Sequence, residues 1–304
     1  MRVVAALGGN ALLKRGELAD VETQRHNVAR AVRSLAALAR EHELVVTHGN
    51  GPQVGLLALQ AEAYHAVHPY PLDVLGAESE GMVGYMIEQG LSAELPEREA
   101  ATLLTQVVVD RDDPAFAVPT KPIGPVYTEP EARVLAEARR WTIARDGDDW
   151  RRVVASPEPR SIVEVRAIRL LVEAGVLVVC VGGGGVPVIA DASGGLRGVE
   201  AVIDKDLAAA LLARELDADA LLLLTDVEAI EIDYGTPEAR PLRSATPGEL
   251  RALDLPAGSM RPKAEAAARF VEGGGRLAAI CSLDAASQAL EGGAGTLVRE
   301  VARV

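Results

Sequence analysis

The stretch VVAALGGNALL, residues 3–13, carries an apolar strand-like run into two glycines and an asparagine before it turns apolar again. A turn alone needs one glycine. Two in series followed by an amide describe a backbone that approaches a ligand closely, offering N–H groups without side-chain bulk. Taken alone, the segment reads first as a tight strand-to-helix connection. The ligand reading gains only if the rest of the chain supplies partners for a bound anion.

The same pattern repeats downstream. Strand-like runs at 2–7, 44–48, 101–109, 176–181, 220–225 and 277–281 alternate with helical patterns. The helical patterns fall at about 23–41, 52–66, 73–92, 161–174, 206–216, 246–253 and 262–273. Alternation of this kind predicts right-handed βαβ crossovers in an α/β fold, an open and mainly parallel sheet with helices on both faces. Hydrophobic residues make up 49% of the 304 but aromatics only 3%, so the core must be Val, Leu, Ile and Ala, as buried parallel strands and Ala-rich helices require. Ligands of such sheets bind beyond the carboxyl ends of the strands, where the glycines fall.

Residues 112–160 break the rhythm. They hold seven of the 17 prolines and both tryptophans, with RDGDDW (145–150) between two short apolar pieces. We expect a hairpin turning near Asp146-Gly147, within a small subdomain inserted between core elements. The acids of that turn lack the remaining positions of a calcium loop and read as solvated.

Acids outnumber bases 44 to 31, for a formal charge of −13, which argues against nucleic acid or an anionic membrane as partner. A protein this acidic that handles phosphates has to gather a few bases in one place. The densest apolar run, VLVVCV (176–181), suits a buried strand and is far short of a membrane span. There is no signal-peptide pattern, and Cys180 and Cys281 sit in apolar runs that read as buried thiols. The expected setting is the cytoplasm.

Three glycine-rich loops follow strand-like runs: Gly8-Gly9-Asn10, then THGNGPQVG (47–55) with Gly49, Asn50 and Gly51, then VGGGGVPV (181–188). Pro52 is suited to the first turn of a helix whose N-terminus faces the second loop. Three such loops at one sheet edge favour an anion or nucleotide site over plain turns. The P-loop signature is absent, and GNGPQV does not match the dinucleotide fingerprint. The only lysines are Lys14, Lys121, Lys205 and Lys263. Lys205 and Lys263 both fall in the first turn of an expected helix, where a cation opposes the macrodipole at a cost of about 0.3–1 kcal/mol. An anion bound between them would remove the anomaly, and Asp206 is placed to hold both ammonium groups. His48 reads as a ligand contact or as a structural hydrogen bond. His65 and His68 have no third partner in sight for a metal. No covalent nucleophile presents itself.

Residues 3–10 together with VVTHGNGPQVG (45–55), EGMVGYMIEQGL (80–91), PTKPIGPVYTEPEA (119–132) and GGGGVPV (182–188) resemble the carbamate kinases of the amino acid kinase family. IDKDLAAALLA (203–213), LLTDVEAIEIDYG (223–235) and GSMRPKAEAA (258–267) extend the resemblance over nearly the whole chain. It implies the three-layer αβα sheet of that family with a small inserted lid. An N-terminal lobe (1–195, with the insertion at about 112–160) would hold carbamate or carbamoyl phosphate, and a C-terminal lobe (196–304) the nucleotide. The implied reaction is reversible phosphoryl transfer between ADP and carbamoyl phosphate, giving ATP and carbamate, with Mg²⁺ accompanying the nucleotide. By motif, Gly8, Gly9, Asn10, Gly49, Asn50 and Gly51 would hold the carbamoyl side. Lys121, Lys205 and Lys263 would neutralise the phosphoryl oxygens, with Asp206 orienting lysines. Thr225, Asp226, Tyr234 and Met260 would line the nucleotide pocket.

Many kinases of the wider family place a lysine where Asn10 stands, and Lys121, stiffened between Pro119 and Pro122, is the expected substitute, delivered by closure of the lid. Arg261, where the family usually has glycine, and VEAIEI (227–232) depart from the pattern beside the expected nucleotide site. A homodimer and a role in arginine metabolism are also implied. A kinase of this fold acting on another small acid, or a catalytically silent binding homologue, are the alternatives.

Overall fold

Every residue from Val3 to Leu7 is fully buried, odd and even positions alike, so this strand is covered on both faces. The computed structural model describes residues 1–300 apart from 15, 19, 65–67, 192 and 257, and of Asn10 only the backbone. Strand β1 (Arg2–Leu7) passes through the short helix α1 (Gly9–Leu12) to α2 (Val21–Glu41). Strand β2 (Glu43–His48) then leads into α3 (Gly51–Ala63) and α4 (Leu72–Glu94). Next come β3 (Ala100–Thr102), β4 (Gln106–Val109), β5 (Lys121–Tyr127), α5 (Glu129–Arg139), β6 (Thr142–Asp146) and β7 (Asp149–Val154). The chain continues through β8 (Pro159–Ile162), α6 (Val165–Glu173), β9 (Leu177–Val179), β10 (Val186–Ala190) and β11 (Leu196–Gly198). The last part holds α7 (Lys205–Glu215), β12 (Ala220–Thr225), β13 (Glu231–Ile232), β14 (Arg240–Pro241) and β15 (Ser244–Ala245). It closes with α8 (Pro247–Ala252), α9 (Met260–Glu272), β16 (Leu277–Ser282), α10 (Ala286–Leu290) and β17 (Thr296–Val298).

Eight strands form the main sheet in the order β15-β17-β16-β12-β1-β2-β9-β3, parallel except where β17 runs against β16. Period-two alternation sorts each central strand between two cores. Val4, Ala6, Leu221 and Leu223 pack with Ile168, Leu212 and Phe270 on one face, while Val3, Ala5, Leu222 and Leu224 pack with Leu35 and Ile87 on the other. The three layers are therefore helix, sheet, helix, as expected. Helix starts are written in the sequence: Asp20 accepts the Thr23 N–H, and Thr246 and Glu249 form a capping box. Among the described residues no helix is long and apolar enough to cross a membrane.

Two expected elements differ. The run at 101–109 is not one strand: β3 ends the main sheet, and β4 belongs to a four-stranded sheet in the order β11-β10-β4-β8. Thr105 makes the break, because its hydroxyl donates to the Leu103 carbonyl and accepts the Val181 N–H. The helix expected from 161 starts at Val165, since Pro159–Ile162 is drawn into that second sheet opposite β4. The hairpin lies where its turn residues put it, with Asp146 opposite Asp149 and Gly147 at φ 68°. It belongs to a three-stranded sheet, β5-β7-β6. That sheet rests on α3 at one close approach, where a Cβ on Gly55 would lie 2.0 Å from the Gly124 Cα.

Candidate active site

The carboxyl ends of β1, β2 and β12 meet under the first two glycine loops. The Gly8 N–H donates to the Leu224 carbonyl and the Gly49 N–H to the Leu7 carbonyl, both at 3.0 Å. Gly49 is a glycine for a steric reason: a Cβ there would lie 3.1 Å from both the Gly9 nitrogen and Lys205 Cδ. Above these loops opens a cleft of about 1060 Å³. Gly8, Gly9, Gly49, Asn50 and Gly51 line one side, the three candidate lysines converge on it, and Thr225, Asp226, Tyr234 and Met260 line the other. The structure thus brings together every expected site residue whose side chain it describes. The Asn10 side chain lies outside the described residues, as does His65.

Helix α7 organises the cations. Asp206, almost fully buried in its first turn, accepts Lys205 Nζ on Oδ1 at 2.5 Å and Lys263 Nζ on Oδ2 at 2.9 Å. One carboxylate therefore holds two ammonium groups from two helices. Burial raises the cost of the Asp206 charge, yet the two lysines hold its carboxyl well below the usual carboxylate range. Burial, helped by the like charge of Lys263, lowers Lys205 to about 8. Burial pulls Lys263 the same way, but the Asp206 carboxylate outweighs it and holds this ammonium above its ordinary value.

Lys121 arrives from the other direction. It opens β5 opposite Val154, the last residue of β7, and its Nζ lies 2.6 Å from Asp204 Oδ2. The lysine lies at the end of the three-stranded sheet opposite the turn at Gly147. Asp204 escaped the sequence reading, although an Asp directly before a helical run is an N-cap signal. Arg151 of β7 was also missed. It lines the cleft beside Lys121 and donates to the Gly124 carbonyl at 2.5 Å.

The β12 side of the cleft is apolar below and polar at the rim. Ala229, Ile230 and Leu255 form a buried wall, the Thr225 hydroxyl donates to Asp226 at 3.1 Å, and Tyr234 stands exposed. Arg261 adjoins this space, as expected, through its partner Asp254, although it does not itself line the cleft. It is the second residue of α9, more than half exposed, and pairs with Asp254 at 3.5 Å, while its neighbours Met260 and Pro262 line the cleft.

The third glycine loop departs further. Val181, Gly183, Gly184 and Gly185 all take left-handed backbone, with φ of 53°, 68°, 94° and 81°. A Cβ on Gly182 would lie 2.3 Å from His48 Nε2, and one on Gly183 would lie 2.2 Å from the Asn50 amide nitrogen. The Gly182 N–H is spent on Glu80 Oε1 at 2.8 Å, and of these glycines only Gly183 reaches the cleft. This turn is mainly a packing device. His48 is buried with Nδ1 3.1 Å from the Gly49 carbonyl, a structural hydrogen bond rather than a cleft contact. Burial lowers His48 to about 4 and raises Glu80 to about 8, so both are neutral near pH 7.

The amino acid kinase family model matches residues 1–282. A carbamate kinase of Rhizobium meliloti is 55% identical over 93% of this chain and 88% of its own, and one of Haemophilus influenzae is 53% identical over 98% and 96%. Among solved structures, carbamate kinase from Giardia lamblia bound to AMP-PNP superposes with a TM-score of 0.88 at 42% identity, covering 98% of both chains. N-acetylglutamate synthase from Neisseria gonorrhoeae, at 18% identity and a TM-score of 0.61, shares the fold. With its cleft, its lysines and this likeness along its whole length, the chain belongs to the carbamate kinases of the amino acid kinase family.

Proposed function

We propose that the cleft transfers a phosphoryl group reversibly between carbamoyl phosphate and ADP, with the carbamoyl side on the glycine loops and the nucleotide between β12 and α9. The observation that carries this reading is one buried carboxylate, that of Asp206, holding both Lys205 and Lys263 at the carboxyl ends of β1 and β12. Phosphoryl transfer needs positioning and positive charge rather than covalent chemistry. Carbamate is already an oxyanion nucleophile, so the buried His48 is not required as a base. Lys205 and Lys263 face charge that spreads over the phosphoryl oxygens, Lys121 approaches from the carbamoyl side, and the loops of Gly8, Gly9, Asn10, Gly49, Asn50 and Gly51 receive the acceptor, with the Gly8 and Gly49 N–H groups fixed on the strand-end carbonyls of Leu224 and Leu7. Thr225, Asp226, Tyr234 and Met260 border the nucleotide. The AMP-PNP bound by the Giardia lamblia relative supports a nucleotide here.

Mg²⁺ belongs to this reading as the nucleotide's companion. Among the described residues no cluster of three His, Cys, Asp or Glu could cage a metal, which fits an ion that keeps its waters and is held by phosphates with one or two carboxylates. Asp226 at the end of β12 is the carboxylate placed to take part, and the ion would neutralise phosphate charge. A division into a carbamoyl lobe (1–195) and a nucleotide lobe (196–304), a homodimer and a cytoplasmic setting complete the proposal. Two buried, unpaired cysteines support the last.

The test is ATP formation from ADP, Mg²⁺ and carbamoyl phosphate, with acetyl phosphate in parallel. Carbamoyl phosphate is expected to be the far better donor. Equal rates from the two would shift the assignment to another small acid, and no ATP from either would leave a silent binding homologue.

A further inference from the structure

Lys121 and Asp204 are 83 residues apart in sequence, and the fold has a specific way of bringing them together. Residues 154 and 155 lie between them. On one side Lys121 pairs with Val154, and the Thr120 N–H donates to the Val154 carbonyl at 3.1 Å. On the other, Ala201 bridges to Ala155, and the Val202 N–H donates to the Ala155 carbonyl at 2.9 Å. Two residues later the chain reaches Asp204 and enters α7. The contact between the two side chains is therefore set by backbone pairing on both sides of a shared strand end.

The two oxygens of Asp204 do different jobs. Oδ1 accepts the N–H groups of Asp206 at 2.9 Å and Leu207 at 3.2 Å, capping α7. Oδ2 accepts Lys121 Nζ at 2.6 Å. Only 28% of the Lys121 side chain and 12% of the Asp204 side chain remain exposed, so the pair is part of the cleft wall and not a screened surface bridge. The first turn of the same helix carries Lys205 and Asp206, and Asp206 holds Lys263.

We infer that Asp204 is a positioning residue for phosphoryl transfer, registering the Lys121 ammonium against the start of α7 so that all three lysines keep fixed mutual positions. This deepens the function proposed above and rests on it. Without the carboxylate, Lys121 would be a flexible side chain at the cleft mouth, free to sample rotamers that miss the phosphoryl group. With it, the ammonium waits within the cleft until the anion of the substrate competes for it.

Asp204→Asn separates the two jobs, because the amide oxygen can still cap the helix while the charge that holds Lys121 is gone. The variant should keep the wild-type Tm and the KM for ADP, while kcat falls about 10–100-fold, the scale of a misplaced catalytic group. The double variant with Lys121→Ala should be no slower than Lys121→Ala alone. Acetylation of Lys121 by acetic anhydride, followed by mass spectrometry, should speed up several-fold in Asp204→Asn while Lys263 is unchanged. A near-wild-type kcat, losses that multiply in the double variant, or unaltered Lys121 labelling would each overturn the inference. Wild-type protein that makes no ATP from carbamoyl phosphate would instead sink the functional reading, and the labelling would still decide whether Asp204 holds Lys121.

Discussion

Two glycine-rich regions of this molecule look alike in sequence and behave differently in space. Gly8-Gly9 and Gly49-Asn50-Gly51 end parallel strands and line the cleft with backbone. Gly182 to Gly185 also follow a strand, yet only Gly183 reaches the cleft; Gly182 packs on His48, and Gly183 to Gly185 wind through left-handed backbone against Asn50, Ile203 and Val107. In the first region Gly49 is glycine because Gly9 and Lys205 come near, while a side chain at Gly51 would meet open space. The second is glycine because side chains of its own protein already fill the places where Cβ atoms would go. A glycine run at a strand end thus marks a close approach without saying what approaches.

The largest expected effect lies in the cleft. Lys205→Ala or Lys263→Ala should lower kcat on the order of 10²-fold or more while the fold survives, as loss of a preorganised charge does. Steady-state kinetics beside a thermal melt will show it; near-normal turnover in either variant would return that lysine to a structural role.

The buried turn should answer through stability instead. Gly183→Ala combines a left-handed backbone with a clash against an amide that already donates to Ser79, and should cost about 2–5 kcal/mol. Gly51→Ala, whose Cβ would meet nothing within 4 Å, should change stability by no more than about 0.5 kcal/mol. Equal melting shifts for the two would erase the distinction between the regions.

Acid–base behaviour should divide along the same line. Lys205, lowered to about 8, must be an ammonium to stabilise phosphoryl charge, so kcat/KM should fall as pH rises through about 8. Glu80, raised to about 8 by burial, keeps a proton in the folded protein that the unfolded chain releases near 4.5. Its contribution to stability is therefore complete below about 4.5 and lost as pH rises through 8. Denaturant midpoints measured from pH 5 to 8.5 should decline more steeply for wild type than for Glu80→Gln. A flat wild-type profile would mean that Glu80 ionises at its ordinary value.

Arg261→Gly should have the smallest effect. Its side chain is mostly exposed and pairs with the solvent-exposed Asp254 at the cleft rim, so the KM for ADP should move less than about threefold, the size of a surface ion pair. A larger change would place the arginine within the nucleotide's reach.

Alternating apolar runs and helical patterns were enough to specify the three layers, because both faces of a parallel strand must be apolar and each crossover must bury one stripe of a helix. Residue type and place in the pattern also marked Lys205, Asp206 and Lys263, since cations at helix starts need a reason. The strand boundary at Thr105 was not legible. It depends on a hydroxyl shared between Leu103 and Val181, which lie far apart in the chain. Nor could periodicity tell that Arg261 faces solvent while Met260 and Pro262 face the cleft, because that follows from how α9 lies against its neighbours.

What the sequence determined by itself is what rests on local chemistry: the alternating elements, the helix caps, the glycines at strand ends and the few lysines available to an acidic chain. What only the tertiary structure decided is which of those residues share a neighbour. Asp204 meets Lys121 because two distant segments pair with the same strand end at 154–155, and Gly182 is occupied by packing because His48 and Glu80 converge on it from other elements. Such coincidences arise from long-range backbone pairing and close packing, whose geometry is fixed only when the whole sheet has formed.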